Sequence, residues 1–192
     1  MGVYKYLQTL WKSARKDKVY KSRLIAWRRE ATSVKIDRPT RLDRARTLGY
    51  RAKEGIVIIR QRMIRGGKRK PDFGRRRSKR SGRTLMLSKN YQQIAEERAA
   101  KKYSNLEVLN SYFVAQDGIY SWYEIIMVDW SHPAIRKDKK LKFLVNAKGR
   151  AFRGLTSTGK SSRGLYNKGK GAEKLRPSRR AVVKRRLARP KK

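Results

Sequence analysis

Apolar and polar residues alternate with one period at the start of the chain, another in its middle, and none near its end. Val3, Leu7, Leu10, Trp11 and Ala14 fall on one stripe at helical spacing, and Tyr20, Leu24 and Trp27 repeat that stripe over Lys18–Arg29. Two N-terminal helices are predicted. Arg38-Pro39 breaks the chain. Thr40-Arg41-Leu42-Asp43 then reads as a capping box, with the Asp43 side chain reaching back to the cap amide, and a short helix follows that Gly49 stops. Over Ile56–Ile64 the period drops to two. Val57, Ile59 and Met63 share one face of a strand, and Arg60 and Arg62 point to the other.

Asn90 predicts the cap of a helix over Tyr91–Lys102, with Tyr91, Ile94, Ala95 and Ala99 as its buried stripe and Glu97–Lys101 as an outward pair. Two β-rich runs follow, Leu106–Gln116 and Ile119–Asp129, parted by Asp117-Gly118, the dipeptide of a type I′ turn. A two-residue turn there sets Tyr112 opposite Tyr123 and Phe113 opposite Trp122. The pattern predicts an α+β protein: a small antiparallel sheet with helices packed on it, plus long basic extensions. The expected divisions are an N-terminal helical segment (1–49), an α+β core (50–65 and 86–145), a basic extension inserted in that core (66–85) and a basic C-terminal tail (146–192). Within the tail, Ser178–Arg189 has a helical pattern capped by Ser178. It is charged nearly all round, so it is expected to form only against a polyanion.

Charge sharpens this division. The 192 residues carry 54 Lys and Arg against 14 Asp and Glu, a formal net charge of +40, with 38% hydrophobic residues. Tyr103–Ile135 contains no Lys or Arg and four acids, whereas Arg136–Lys192 holds 22 basic residues and two acids. One stretch is built to fold on itself, the other to lie on a negative surface. Gly66–Thr84 has nine basic residues, four glycines and no aliphatic one. Nothing in it can build a core, so a partner is expected to order it. There is no cysteine, which excludes disulfides, zinc–thiolate sites and thiol catalysis. No apolar run approaches the roughly 20 residues of a membrane span. Lys5, Lys12 and Arg15 interrupt the N-terminal apolar residues, unlike a secretory signal. A soluble, intracellular protein without a membrane partner is expected.

The candidate chemistry is thin. Gly154-Leu155-Thr156-Ser157-Thr158-Gly159-Lys160-Ser161 fits the Walker A pattern, whose mechanics need a buried strand entering the loop and a helix leaving it. Ala147-Lys148-Gly149-Arg150 upstream and Arg163-Gly164 downstream promise neither, so a Gly-rich basic loop on phosphates is the better reading. His132, the only histidine, stands beside Pro133 at a helix start and has no catalytic partner. Glu96 and Glu97, as helical neighbours, point apart. No enzyme activity, cofactor, metal or small-molecule substrate is expected. Tyr112, Phe113, Trp122 and Tyr123 have no cations beside them and read as core, whereas Trp27 and Tyr50, among Arg28, Arg29, Arg46 and Arg51, are fairer candidates for stacking on nucleic acid.

Clusters such as Arg75-Arg76-Arg77, Lys79-Arg80 and Lys184-Arg185-Arg186 would release many counterions on a polyanion. Composition alone does not separate RNA from DNA. A DNA-compacting protein would more often show a repeat or a dimer motif, and neither is visible. The residues are more specific. Arg38-Pro39-Thr40-Arg41-Leu42-Asp43-Arg44-Ala45-Arg46, Leu48-Gly49-Tyr50, Arg65-Gly66-Gly67-Lys68-Arg69, Ala95-Glu96-Glu97-Arg98-Ala99, Asn105–Tyr112 and Arg153-Gly154-Leu155-Thr156-Ser157 occur in an order that resembles one family. It is the archaeal and eukaryotic large-subunit ribosomal protein fifteen, the type written with the suffix e. The Gly-Lys-Gly-Ala-Glu-Lys stretch ending at Lys174 looks archaeal.

The resemblance implies a cytoplasmic, structural protein of the large ribosomal subunit. Its partners would be large-subunit rRNA and neighbouring large-subunit proteins. Carried over residue by residue, it implies RNA contacts at Arg38, Arg41, Arg44, Arg46, Arg51, Lys53, Arg65, Lys68, Arg69, Arg153, Lys160 and Arg163. Position and charge add Arg60, Arg62, Arg75, Arg76, Arg77, Arg150, Lys168 and Lys170.

Overall fold

A computed structural model describes residues 2–14, 17–69, 84–85, 88–172 and 179–188. Helices α1 (Val3–Ser13) and α2 (Lys18–Arg29) lead to strand β1 (Ser33–Ile36) and helix α3 (Leu42–Thr47). Strand β2 (Ile56–Ile64) is followed by the two-residue strands β3 (Lys68–Arg69) and β4 (Thr84–Leu85). Then come α4 (Tyr91–Lys102), β5 (Leu106–Gln116), β6 (Tyr120–Asp129), α5 (Pro133–Arg136), a 3-10 turn at Lys142–Leu144, α6 (Ser157–Ser162) and α7 (Arg179–Leu187).

The main sheet is antiparallel in the order β1-β2-β6-β5. β6 is buried on both sides along nearly its whole length, because each face of the sheet carries helices. On one face Trp122, Tyr112, Val114 and Ile126 pack against Tyr20, Leu24 and Trp27 of α2 and Ala45 of α3. The predicted α2 stripe is therefore its buried stripe, and Trp27 meets Trp122 at 6.0 Å between ring centres. On the other face Ile59, Met63, Val108, Ile125 and Met127 pack against Ala95 and Ala99 of α4. Each large apolar side chain so buried contributes about 1.5–3 kcal/mol. The α+β architecture expected from the alternation pattern is the one observed. Asn90 caps α4 as expected, its side chain accepting from the Gln93 amide at 2.8 Å.

Several local expectations need correction. The hairpin turn is not a type I′ turn at Asp117-Gly118, since no described non-glycine residue has a positive φ and Gly118 has none either. Instead the Asp117 amide donates to the Tyr120 carbonyl (2.9 Å) and its carboxylate accepts from the amides of Ile119 (2.8 Å) and Tyr120 (2.5 Å). The aspartate side chain thus moves the turn one residue on. With two bulges in β5, the register becomes Tyr112 opposite Glu124, Phe113 opposite Tyr123 and Ala115 opposite Trp122. The capping box also fails: α3 is preceded by Arg41 with no side-chain cap, and Asp43 pairs with the Arg41 guanidinium at 3.2 Å. Glu97 takes Lys89 (2.8 Å) rather than Lys101. The α1 stripe splits, with Leu7, Trp11 and Ala14 half-buried while Val3 and Leu10 are exposed.

Two segments are better integrated than their composition suggests. The N-terminal segment supplies β1, a sheet edge that four residues were too few to signal. Chain beyond 145 also packs on the core: Ala151, Thr156 and Thr158 are buried, and Leu144 joins Ile135, Leu141 and Val128 in a third apolar cluster. The inserted extension is closed at its base by β3 pairing with β4. The rest of that extension, with Arg75, Arg76 and Arg77, and the expected cap Ser178 lie outside the described residues.

Candidate nucleic-acid interface

Several of the described acids hold basic segments in place. On the α2 face, the buried carboxylate of Glu124 accepts from the Thr40 amide (3.1 and 3.3 Å) and the Tyr112 hydroxyl (2.5 Å), fixing the loop that leads into α3. On the α4 face, the buried Glu96 accepts from the hydroxyls of Ser111 and Thr156, the latter at 2.6 Å. Thr156 in turn caps α6, its hydroxyl accepting from the Gly159 amide at 3.1 Å. Burial pushes both glutamates above the usual carboxylate range, and the hydrogen bonds offset that only in part. Glu107 accepts from the Gly149 amide at 2.6 Å. Asp117 takes Arg28 at 2.7 Å. Desolvation acts upward on Asp117, but bonds from Tyr120 and Arg28 outweigh it and lower its pKa.

The sequence-predicted cations divide by what they touch. Arg60 is turned inward, its guanidinium bonded to Glu30 at 2.5 Å and 4.4 Å from the Trp27 ring centre, with 10% of its side chain exposed. Arg41 lies over Trp11 at 5.1 Å besides pairing with Asp43. Arg150 donates to the Val108 carbonyl at 2.8 Å and lies 5.1 Å from the Phe143 ring centre. Arg62 is bonded to the Arg28 carbonyl and covers Tyr120 at 4.7 Å. Lys53 pairs with Asp138 at 3.2 Å, and Arg163 is half-buried and donates to the Gly154 carbonyl at 3.2 Å.

Most of the remaining described candidates face outward. Arg38, Arg44, Arg46 and Arg51 line the outside of the N-terminal loop and α3, Arg46 lying 5.7 Å from the Tyr4 ring centre. Arg65 and Arg153 are exposed while donating to the carbonyls of Asp117 (2.6 Å) and Lys148 (2.5 Å). Lys160, Lys168 and Lys170 are exposed. Lys68 and Arg69 lie in β3. Arg44 and α6 border one cleft, so the N-terminal and C-terminal basic segments meet there.

The Walker-like segment does not have the P-loop architecture. Turns rather than a strand precede it, and its helix is the six-residue α6, which begins inside the motif. Gly154 has φ +62°, and a Cβ on Gly159 would stand 2.6 Å from the Gly154 Cα, so two backbones touch where a phosphate would need room. His132 caps α5, its Nδ1 accepting from the Ala134 amide at 3.2 Å. No metal-binding cluster of His or acids occurs among the described residues.

Trp27 is buried in the core and Tyr50 packs half-buried against it, which corrects the expectation that they offer rings to a nucleic acid. The aromatics that lie beside outlying cations are elsewhere. Phe143 lies under Arg150, with Phe152 and Tyr166 also exposed nearby in the sequence, and Trp130 stands 3.9 Å from the Lys148 ammonium. Phe143, Phe152 and Tyr166 stood as single aromatic residues in Lys- and Arg-rich chain, but no periodicity distinguished them from core.

The family model described as Ribosomal L15 matches residues 2–182. A large ribosomal subunit protein eL15 from Methanocella arvoryzae is 52% identical over 191 residues, covering 96% of this chain and 97% of that protein. Its namesake from Picrophilus torridus is 47% identical over 188 residues, covering 94% and 96%. With an α+β sheet clothed in outward cations and a full-length match, this chain belongs to the Ribosomal L15 family, a family of structural ribosomal proteins and not of enzymes.

Proposed function

We propose that the chain is a structural constituent of the cytoplasmic large ribosomal subunit, binding and stabilising large-subunit rRNA through its basic extensions and lying beside other large-subunit proteins. The observation that supports this best is the sorting of charge. Most described acids accept hydrogen bonds from the chain itself. Arg38, Arg44, Lys160, Lys168 and Lys170 are exposed and form no ion pair with described residues. An outer surface of that kind suits phosphates, with Arg providing planar forks and Lys point charges. Phe152 and Tyr166 add exposed rings for unpaired bases. No described helix is long and apolar enough to cross a membrane.

Sedimentation of a cell lysate before and after ribonuclease tests the reading. The protein travels with the large subunit and leaves that fraction on digestion; recovery in DNA-bound material insensitive to ribonuclease would overturn it. Binding of purified protein to rRNA falls steeply with salt. If about ten phosphates are neutralised, the slope of log affinity against log salt is roughly −7 to −9.

A further inference from the structure

The cleft where α3, the start of α4, β5 and α6 converge has a volume of about 360 Å³. That is the size of sites that take one small organic group, which begin near about 300 Å³. No carboxylate of the described residues lines it. Its polar lining has a fixed sense. Asn90 and Asn110 commit their side-chain oxygens to the amides of Gln93 (2.8 Å) and Ser111 (3.0 Å), which leaves both NH2 groups as donors. Gln92 commits its NH2 group to the carbonyl and hydroxyl of Ser111 (2.9 and 2.8 Å), which leaves its oxygen as an acceptor. Phe113 gives the cleft an apolar wall, and the exposed, unpaired Arg44 lies at its margin.

We propose that this cleft holds one unpaired nucleotide, its base against Phe113 and the amides of Asn90, Gln92 and Asn110, its phosphate on Arg44. A nucleobase is flat, apolar on its faces and carries donors and acceptors side by side on its edge, which matches the wall and the fixed amides. A duplex does not fit a space of this size. The chemistry is shared by a free mononucleotide and by a nucleotide splayed out of RNA. We assign the RNA nucleotide, because α3 with the exposed Arg44 and Arg46 and α6 with the exposed Lys160 both border the cleft. The assignment deepens the rRNA-binding reading and rests on it.

The test uses the full-length protein with large-subunit rRNA and chemical probing at nucleotide resolution. Ser161 lines the cleft and is exposed, so Ser161→Trp fills the space without disturbing the core. Wild-type protein protects an unpaired base that Ser161→Trp leaves reactive, and affinity falls about tenfold, as expected for losing one stacked base. Arg44→Gln reproduces the loss of protection in part, without adding bulk. Ile119→Trp, equal bulk at the exposed hairpin tip, changes nothing. Identical protection patterns for wild type, Ser161→Trp and Arg44→Gln would overturn the proposal while leaving rRNA binding intact. Absence of rRNA binding by the wild type would overturn both readings. Saturable binding of free AMP, GMP, CMP or UMP that Ser161→Trp abolishes and rRNA does not displace would make this a mononucleotide site, and overturn the assignment to RNA.

Discussion

On the face of the sheet covered by α2 and α3, Glu124 receives the amide of Thr40 and the hydroxyl of Tyr112; on the opposite face, Glu96 receives the hydroxyls of Ser111 and Thr156. Each glutamate comes from the core and grips the chain just before a short helix that carries candidate RNA contacts. The difference lies in what is gripped. At position 40 an amide, which any residue except proline supplies, acts together with the threonine side chain on Glu124. A hydroxyl at 156 is supplied only by Ser or Thr. The N-terminal segment is thus held partly through its backbone, the C-terminal one through side-chain hydroxyls alone. In a chain so short of acids, two carboxylates placed in the core locate two extensions that would otherwise repel one another.

Four experiments break or sharpen this contrast. The largest effect is expected from Trp122→Ala, which removes the ring between the sheet and α2 and costs about 3–5 kcal/mol in urea denaturation. A cost below about 1 kcal/mol would mean that this face is not held by that packing. Next, Glu124→Ala and Glu96→Ala each strand buried donors and cost about 2–4 kcal/mol. Hydrogen exchange separates them: the first exposes amides around 40–48, the second those around 156–163. If either variant loosened both segments, the two grips would not be independent. Thr156→Val loses the bond to Glu96 and the cap of α6, costing about 1–2 kcal/mol. Thr40→Val loses the side-chain bond to Glu124 but keeps the amide bond and caps no helix, so it costs less in the same assay.

The smallest effect is in pH. Glu96 and Glu124 have folded pKa values raised above 4.5 by burial, so the folded state keeps their protons to higher pH than the unfolded chain. Their contribution is fully present below 4.5 and lost as pH rises through the folded values. Asp117 is lowered below 3.8 and behaves oppositely, its contribution being lost as pH falls through its folded value. Carboxyl carbon titrations by NMR should place the first two midpoints above 4.5 and the third below 3.8. A Glu96 midpoint below 4.5 would show that its hydroxyl donors outweigh burial.

Elements long enough to repeat a period were legible in the sequence. α2, α4 and the hairpin strands follow from stripes of three or more residues, and β2 from its alternation. What depended on one side chain was not. The hairpin register turned on Asp117 preferring two amides to a left-handed turn, and β1 was too short to alternate visibly. Among the candidate contacts, a cation's type and neighbours in sequence did not tell whether it would face water or a partner of its own. Arg60 and Arg44 read alike, yet Glu30 and Trp27, distant in sequence, turn only the first one inward. The packing of 149–164 was hidden for the same reason, since Glu96 and Glu107 find it across tens of residues.

The meeting of Gly154 and Gly159 has a bearing on how such loops are read. One glycine is required by a left-handed turn, the other because a methyl group would collide with the first, and Thr156 between them serves as a cap. The two glycines, placed here for steric reasons, stand where nucleotide-binding loops place theirs for electrostatic ones, and Lys160-Ser161 completes the pattern. The spelling is degenerate: one string answers two unrelated stereochemical problems. A cheap discriminator is Gly159→Ala. Here it would force two peptide planes apart and unseat α6, a folding defect that added nucleotide would not rescue. In a true phosphate cradle, ligand binding would offset part of the damage.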